Sequence, residues 1–447
     1  MTIDHNLVLR LSKRKNIYPW QTLMISLLFI LTAPFVNRIL MWIPFLIQLY
    51  RIIRFDIHVF FTDMAFLISF STIFQVPHVG GAVGILIFAQ IIWHIIHTRK
   101  ITQTYSLGFM IILCVYLLFR ADQMLVDYIF IVDALLIMWL AVQICTPEDS
   151  EKMAKAFVFG MIIASVYGYM FRGTAALGHY LAEDGIASMD FKELFRFRAI
   201  FLDSNYYSCA LILAIILLLQ LYILGKINIA PATGMVILLA FFGVQTYSRT
   251  FFVMLVFAGI LSVYFLFKNK KIFPAMFLVA GGIILITMTV SGKIDVFNVV
   301  LSRLLGSDNL HDMTSGRSDL LVIYLSYIFS NLKMALLGGG LNASLLGKGT
   351  HNIYLEILYF TGTIGIFLYG LYAISLYHNI RKKYFKYYNR QEKITVVFSL
   401  IAMLVVYFSL QGMFQTVTYV HFMIALLAMK IPACQSETAH DKIKEKR

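Results

Sequence analysis

The chain has 447 residues, of which 60% are apolar and 13% charged, with a mean hydropathy of +0.80. A water-soluble chain of this length carries about 25% charged residues, so a soluble globular fold is excluded. The net charge of +14 does not point to nucleic acid, because Lys and Arg sit in short loops between apolar runs and form no basic face interleaved with aromatics.

The fold expected is all-α: one polytopic membrane domain over residues 1–447. Its first stretch, "MTIDHNLVLRLSKRKNIYPW", is polar and basic and lacks a small-residue cleavage site, which predicts an uncleaved signal anchor. Apolar runs follow at 20–36, 38–50, 59–75, 80–97, 105–119, 128–145, 153–171, 205–224, 230–246, 249–267, 272–290, 353–378, 394–411 and 418–431. They make about 12–14 spans of near the roughly 20 residues a bilayer needs. The 38–50 run is the weakest, since Pro44 lies inside it, and it is a candidate re-entrant segment. Cys114, Cys145, Cys209 and Cys434 are scattered in or beside apolar runs and read as small buried hydrophobes.

Two stretches exceed tight turns, a first long loop at 172–204 and a second at 291–351, and loops of that length in a compact domain are usually functional. The second is expected to hold an amphipathic helix near 316–330. Thr314 or Ser315 can cap it, and Leu320, Leu321, Tyr324 and Ile328 share a face. With the N-terminus inside, the inner segments hold 25 of the 37 Lys and Arg, chiefly "RKKYFKYYNRQEK" at 381–393, "KNKK" at 268–271 and the basic tail from Lys430. The short outer loops keep only Arg38, Arg120 and Arg249. This bias predicts a multi-pass protein of the cytoplasmic (inner) membrane, with both termini cytoplasmic and both long loops outside.

Four polar clusters then fall at the outer level. "RFRAIFLDSNYY" carries Arg196, Arg198, Asp203, Ser204 and Asn205; "QTYSRTFF" carries Ser248 and Arg249; the second long loop carries Gly316 and Arg317; "KGTHNIYLEILYFTGTIG" carries Thr350, His351, Asn352 and Glu356. Each has a plain reading as a helix cap, a headgroup contact or a dipole partner: Asp203 or Asn352 as N-caps, Arg249 snorkelling, Glu356 one turn into a helix or bonded to Asn352. Together they suit a different chemistry. Arginine recognises phosphate in bidentate fashion, and a histidine titrates near neutrality and can take a proton from a hydroxyl. Asp308, Asp312 and Asp319 form the only nearby carboxylate group, and no metal site is expected. "LLGGGLNASLLGKGT" lacks the ending of a P-loop and is expected to be a pliant loop feeding His351. Asp63 and Asp133 lie within spans, where carboxylates are functional candidates, with no basic residue evidently paired to either.

In order and spacing these motifs resemble those of the bacterial O-antigen polymerase and O-antigen ligase superfamily. The resemblance rests on Arg198 with Asp203-x-Asn205, Ser248–Arg249, Gly316–Arg317, and His351–Asn352 followed by Glu356, Gly362 and Gly365, over roughly 190–370. The chain departs from the family pattern at Ser204, where the family has Pro, and in lacking a Gly before it. The resemblance implies a Wzy-type polysaccharide polymerase. Such a glycosyltransferase moves glycan from undecaprenyl diphosphate to a lipid-linked repeat unit on the outer membrane face, without metal or other cofactor, for O-antigen, capsule or exopolysaccharide. His351 and Arg317 are then catalytic, Arg249, Arg317 and Arg198 bind the diphosphate, and Asn205, Asn352 and Glu356 support them. The partners implied are the undecaprenyl-diphosphate-linked oligosaccharide, the bilayer, a chain-length regulator and a flippase, with no nucleic acid. An O-antigen ligase acting on lipid A core uses the same chemistry. A polysaccharide flippase or other transporter, and a membrane scaffold, are the readings from other classes.

Overall fold

A computed structural model describes residues 19–98, 104–121, 124–172, 174, 184–188, 191–201, 203–268, 276, 317–346, 349–410 and 412–433. The signal-anchor stretch before Pro19, "KNKK" beyond Lys268, the 272–290 run apart from residue 276, and loop residues 291–316 lie outside the described residues. So do Asp308, Asp312, Thr314, Ser315, Gly316, Cys434 and the "DKIKEKR" tail. The side chain of Arg317 is also outside them.

The described chain is α-helical. Its helices are α1 (Pro19–Val36), α2 (Trp42–Arg54), α3 (Ile57–Leu67), α4 (Ala82–Thr98), α5 (Tyr105–Ala121), α6 (Leu125–Ile144), α7 (Pro147–Met170), α8 (Ser204–Ile223), α9 (Ile229–Val244), α10 (Arg249–Lys268), α11 (Arg317–Ile328), α12 (Leu332–Leu337), α13 (Ile353–Tyr384), α14 (Arg390–Val406) and α15 (Thr416–Leu427). Six of these segments, α6, α7, α8, α10, α13 and α14, are long and apolar enough to cross a membrane, and shorter apolar helices stand beside them. Two small antiparallel hairpins depart from the all-helical expectation. β1 (Gln75–Val76) pairs with β2 (Gly80–Gly81). β3 (Asp184–Ser188) pairs with β4 (Phe191–Arg196) inside the first long loop, with Asp184 opposite Arg196.

α8 is apolar on every side, the pattern of a helix surrounded by others, and 78% of its apolar window is buried against 39% for α10. α10 instead exposes Val253, Val256 and Ile260, a surface that lipid rather than water must cover. Pro44 does not break α2: it falls in the first turn, where no backbone N–H is required of it. Cys145 and Cys209 are buried and Cys114 half-buried, all as free thiols.

One end of the bundle is stapled by charge. Asp63 has a basic partner after all: the Arg51 guanidinium meets its carboxylate at 2.7 Å through Nε and 2.5 Å through Nη2, and also bonds Thr22, tying α1, α2 and α3 together. The pairing escapes the sequence because Arg51 and Asp63 lie on different helices. At the same end His58 Nδ1 sits 2.7 Å from Asp149, and Lys226 sits 3.5 Å from Glu151. Lys430 is no headgroup anchor. It is fully buried, and its ammonium donates to the carbonyls of Val142 and Cys145, each at 2.8 Å, which end α6 without helical partners. A cation there also complements the helix dipole.

Candidate functional site at the opposite end of the bundle

The stretch entering α8 folds back on the turn between α9 and α10. Arg196 donates from Nε to the Thr246 carbonyl at 2.9 Å and from Nη2 to Asn205 Oδ1 at 3.1 Å, while the Phe197 N–H donates to the Gln245 carbonyl at 3.0 Å. Asp203 caps α8, accepting from the N–H groups of Asn205 and Tyr206 at 2.7 and 3.3 Å. Ser248 Oγ reaches Asn205 Oδ1 at 3.5 Å, and Ser208 Oγ donates to Thr246 Oγ1 at 3.0 Å. Asn205 and Ser248, distant in sequence, therefore meet. Arg198 and Arg249, neighbours of this knot in sequence, are both half-buried. Arg196 is the clamp that holds it; the sequence motifs single out Arg198 instead, and the part Arg196 plays shows only in the fold.

The stretch entering α13 is built in the same way. Asn352 is the N-cap, accepting from the Leu355 N–H at 3.1 Å, and Thr350 Oγ1 donates to the Asn352 carbonyl at 3.1 Å. The Glu356 side chain does not bond to Asn352, although the Glu356 N–H donates to the Asn352 carbonyl at 2.9 Å. It is buried, and its Oε2 accepts the N–H groups of Gly412 at 2.6 Å and Met413 at 3.0 Å, in the turn between α14 and α15. A side chain on Gly412 would fall 2.7 Å from Thr418 Oγ1 and 3.0 Å from the Tyr206 hydroxyl. These two buried hydroxyls have no hydrogen-bond partner among the described residues. Tyr206 thus carries the start of α8 to the turn that Glu356 holds.

Four non-glycine residues adopt left-handed backbone among the described residues: His78, at φ 63° in the β1–β2 turn, and Ala199, Tyr247 and His351, each at φ 48°. The last three each stand just before one of the polar helix starts. The conformation costs an L-residue on the order of 1–2 kcal/mol, and such outliers cluster at functional sites.

The Gly-rich stretch is not pliant. α13 is broken at Gly362, whose φ of 65° and ψ of −173° no helix contains. The break frees three carbonyls, and all are taken up: Tyr359 by the Gly339 N–H at 2.9 Å, Phe360 by the Gly340 N–H at 3.0 Å, Thr361 by the Tyr116 hydroxyl at 2.5 Å. Arg120 donates to the Gly338 carbonyl at 2.8 Å and accepts the Leu341 N–H at its own carbonyl, also at 2.8 Å. A side chain on Gly362 would fall 2.3 Å from the Leu336 carbonyl oxygen, so the loop lies directly against the break. The apolar run taken as one span is therefore a short helix, 353–361, followed by a piece, 363–384, of about 33 Å, which alone is long enough to cross.

The structure thus brings together Asn205, Ser248 and Arg196 directly, and Glu356, Gly412 and Tyr206 around one turn. α11 packs beside this assembly through Tyr324, whose ring lies 5.0 Å from that of Tyr359. Tyr324 and Ile328 are fully buried whereas Leu321, expected on the same face, is exposed. Asp133 is buried in α6 away from this end. Among the described residues no three His, Cys, Asp or Glu are close enough to hold a metal ion. No family model matches the chain, and no curated protein or solved structure matches it.

Proposed function

We propose that the chain is a lipid-linked oligosaccharide polymerase of the cytoplasmic membrane. It would carry about 12–14 spans, both termini in the cytoplasm and the polar helix starts on the outer face. The observation that carries the reading is the convergence of the segments at 196–206, 245–249 and 350–356 at one end of an apolar bundle. There Arg196 and Ser248 meet at Asn205, Glu356 holds the 412–413 turn, and His351 is held in a left-handed conformation. Arginines suit a diphosphate, and fixed cations at the position of a leaving diphosphate offset its developing charge.

In this reading Arg249, Arg317 and Arg198 bind the undecaprenyl diphosphate. His351 takes the proton of the acceptor hydroxyl as that oxygen bonds to the anomeric carbon. The bond from that carbon to the diphosphate breaks, and the lipid diphosphate leaves with the electron pair. Asn205, Asn352 and Glu356 hold the frame.

The broken helix is the feature a transporter would share, since discontinuous spans often bind cargo. Here the Gly-rich loop and Tyr116 occupy all three freed carbonyls, so the break offers them to no cargo. The test is the glycan ladder of a deletion strain complemented with His351→Ala or Arg317→Ala. A polymerase defect leaves surface glycan capped at one repeat unit; long polymer stranded on the carrier would indicate the ligase instead. A wild-type ladder from both variants refutes the site.

A further inference from the structure

The helices α13 and α14, consecutive in the chain, leave a cleft between them that runs from the 412–413 turn, where Ile353, Met413 and Thr418 line it, to the charge-stapled end. Its upper part is an apolar cavity of about 500 Å³, within the 300–1,000 Å³ range of ligand pockets. Leu135 of α6 and Tyr419 and Leu426 of α15 contribute to its wall. Tyr377, Val397 and Ile401 line it and also line a second, open groove of about 990 Å³ at the end of the bundle. That groove presents His378, Arg381, Lys382, Lys386 and Lys393.

No carboxylate lies within ion-pair distance of Arg381, Lys382, Lys386 or Lys393 among the described residues. The nearest in sequence, Glu392, is buried and occupied by the Asn389 N–H at 2.8 Å. Four exposed cations therefore surround the mouth of an apolar slot that runs up between spans. An ion or soluble phosphate would satisfy the mouth alone; an apolar ligand would satisfy the slot alone. From this continuity we infer that the cleft seats one anionic phospholipid of the leaflet at this end, its phosphate among Arg381, Lys382, Lys386 and Lys393 and an acyl chain between α13 and α14. Basic pockets between spans are the sequence-readable form of such recognition.

The test titrates the delipidated full chain, in neutral detergent, with phosphatidylglycerol, phosphatidylethanolamine, undecaprenyl phosphate and soluble glycerol phosphate, and counts bound molecules by native mass spectrometry. Each cation near an anionic headgroup adds roughly fivefold to affinity. Replacing all four with Gln should therefore lower phosphatidylglycerol binding at least tenfold and leave phosphatidylethanolamine unchanged. Gly370 lines the slot, and a side chain there meets nothing within 4 Å, so Gly370→Phe should fill the slot and weaken both lipids. Phosphatidylglycerol binding that survives the four replacements overturns the proposal. So does glycerol phosphate that competes as well as the lipid while Gly370→Phe has no effect. Undecaprenyl phosphate that displaces phosphatidylglycerol and is held equally by the Gln variant overturns it in favour of a prenyl chain. If the quadruple variant melts early, Lys382→Gln with Lys393→Gln repeats the charge test, and unchanged binding there overturns the proposal as well.

Discussion

Replacing Glu356 separates a structural carboxylate from a chemical one. Its side chain is 6% exposed, and one oxygen receives both the Gly412 and Met413 N–H groups. Glu356→Ala strands two buried donors. Each costs about 1–3 kcal/mol, so the loss should be roughly 2–6 kcal/mol before any repacking. Glu356→Gln keeps a carbonyl oxygen able to accept both N–H groups. It loses only the charge assistance, which about doubles the strength of a hydrogen bond, so its loss should be about 1–2 kcal/mol. The assay is thermal unfolding of the full chain in detergent beside the glycan ladder of complemented cells. The expected order is wild type, then Gln, then Ala in melting temperature, with the Gln variant still making polymer. A Gln variant that melts like wild type yet makes no polymer would refute the structural role and put Glu356 in the reaction. Equal, wild-type melting for Gln and Ala would show that the 412–413 turn does not depend on it.

Further outcomes follow from particular contacts. Arg51→Ala leaves Asp63 buried without its cation and should cost about 3–5 kcal/mol; pairing it with Asp63→Leu should recover most of that loss, as a double-mutant cycle of melting measures. Gly362→Ala places a methyl group 2.3 Å from the Leu336 carbonyl oxygen and should abolish stable expression. Gly370→Ala meets open space in a helix and should be neutral or stabilising by about 0.5–1 kcal/mol. His351→Gly removes the imidazole and relieves the strain at φ 48°, so it should be inactive on the ladder yet melt above His351→Ala, which loses the same side chain and keeps the strain.

Much of the helical frame is legible in the sequence because apolar length is a local property. The starts of α8 and α13 are legible for the same reason: Asp203 and Asn352 cap the helices they immediately precede. The failures share one cause, partners that are remote in sequence. Asp63 finds Arg51 on another helix; Lys430 finds the carbonyls of α6, nearly 300 residues earlier; Glu356 finds a turn beyond α14 rather than Asn352, its neighbour on the helix face. The break at Gly362 was hidden for a related reason. "FTGTIG" reads as continuous apolar helix, and the donors that let the helix stop come from remote parts of the chain, the docked Gly339–Gly340 backbone and the Tyr116 hydroxyl.

The two ends of the bundle are held by different means, and the difference bears on function. At one end, charged side chains staple helices directly, through Arg51–Asp63, His58–Asp149 and Lys226–Glu151. At the other end the long cations Arg198 and Arg249 are half-buried. There the frame is held chiefly by backbone groups and small polar side chains: Asp203, Asn205, Ser248, Asn352, and the glycine backbone docked on α13. A frame held by caps and backbone can stand while a charged ligand comes and goes, whereas one stapled by ion pairs opens when a ligand takes either charge. Arg196 belongs to that frame, through Thr246 and Asn205. Arg196→Ala should therefore lower melting temperature and activity together, whereas Arg249→Lys, which keeps the cation but not the bidentate fork, should lower activity at a smaller loss of melting temperature. Parallel melting losses in the two variants would show that Arg249 is also part of the frame.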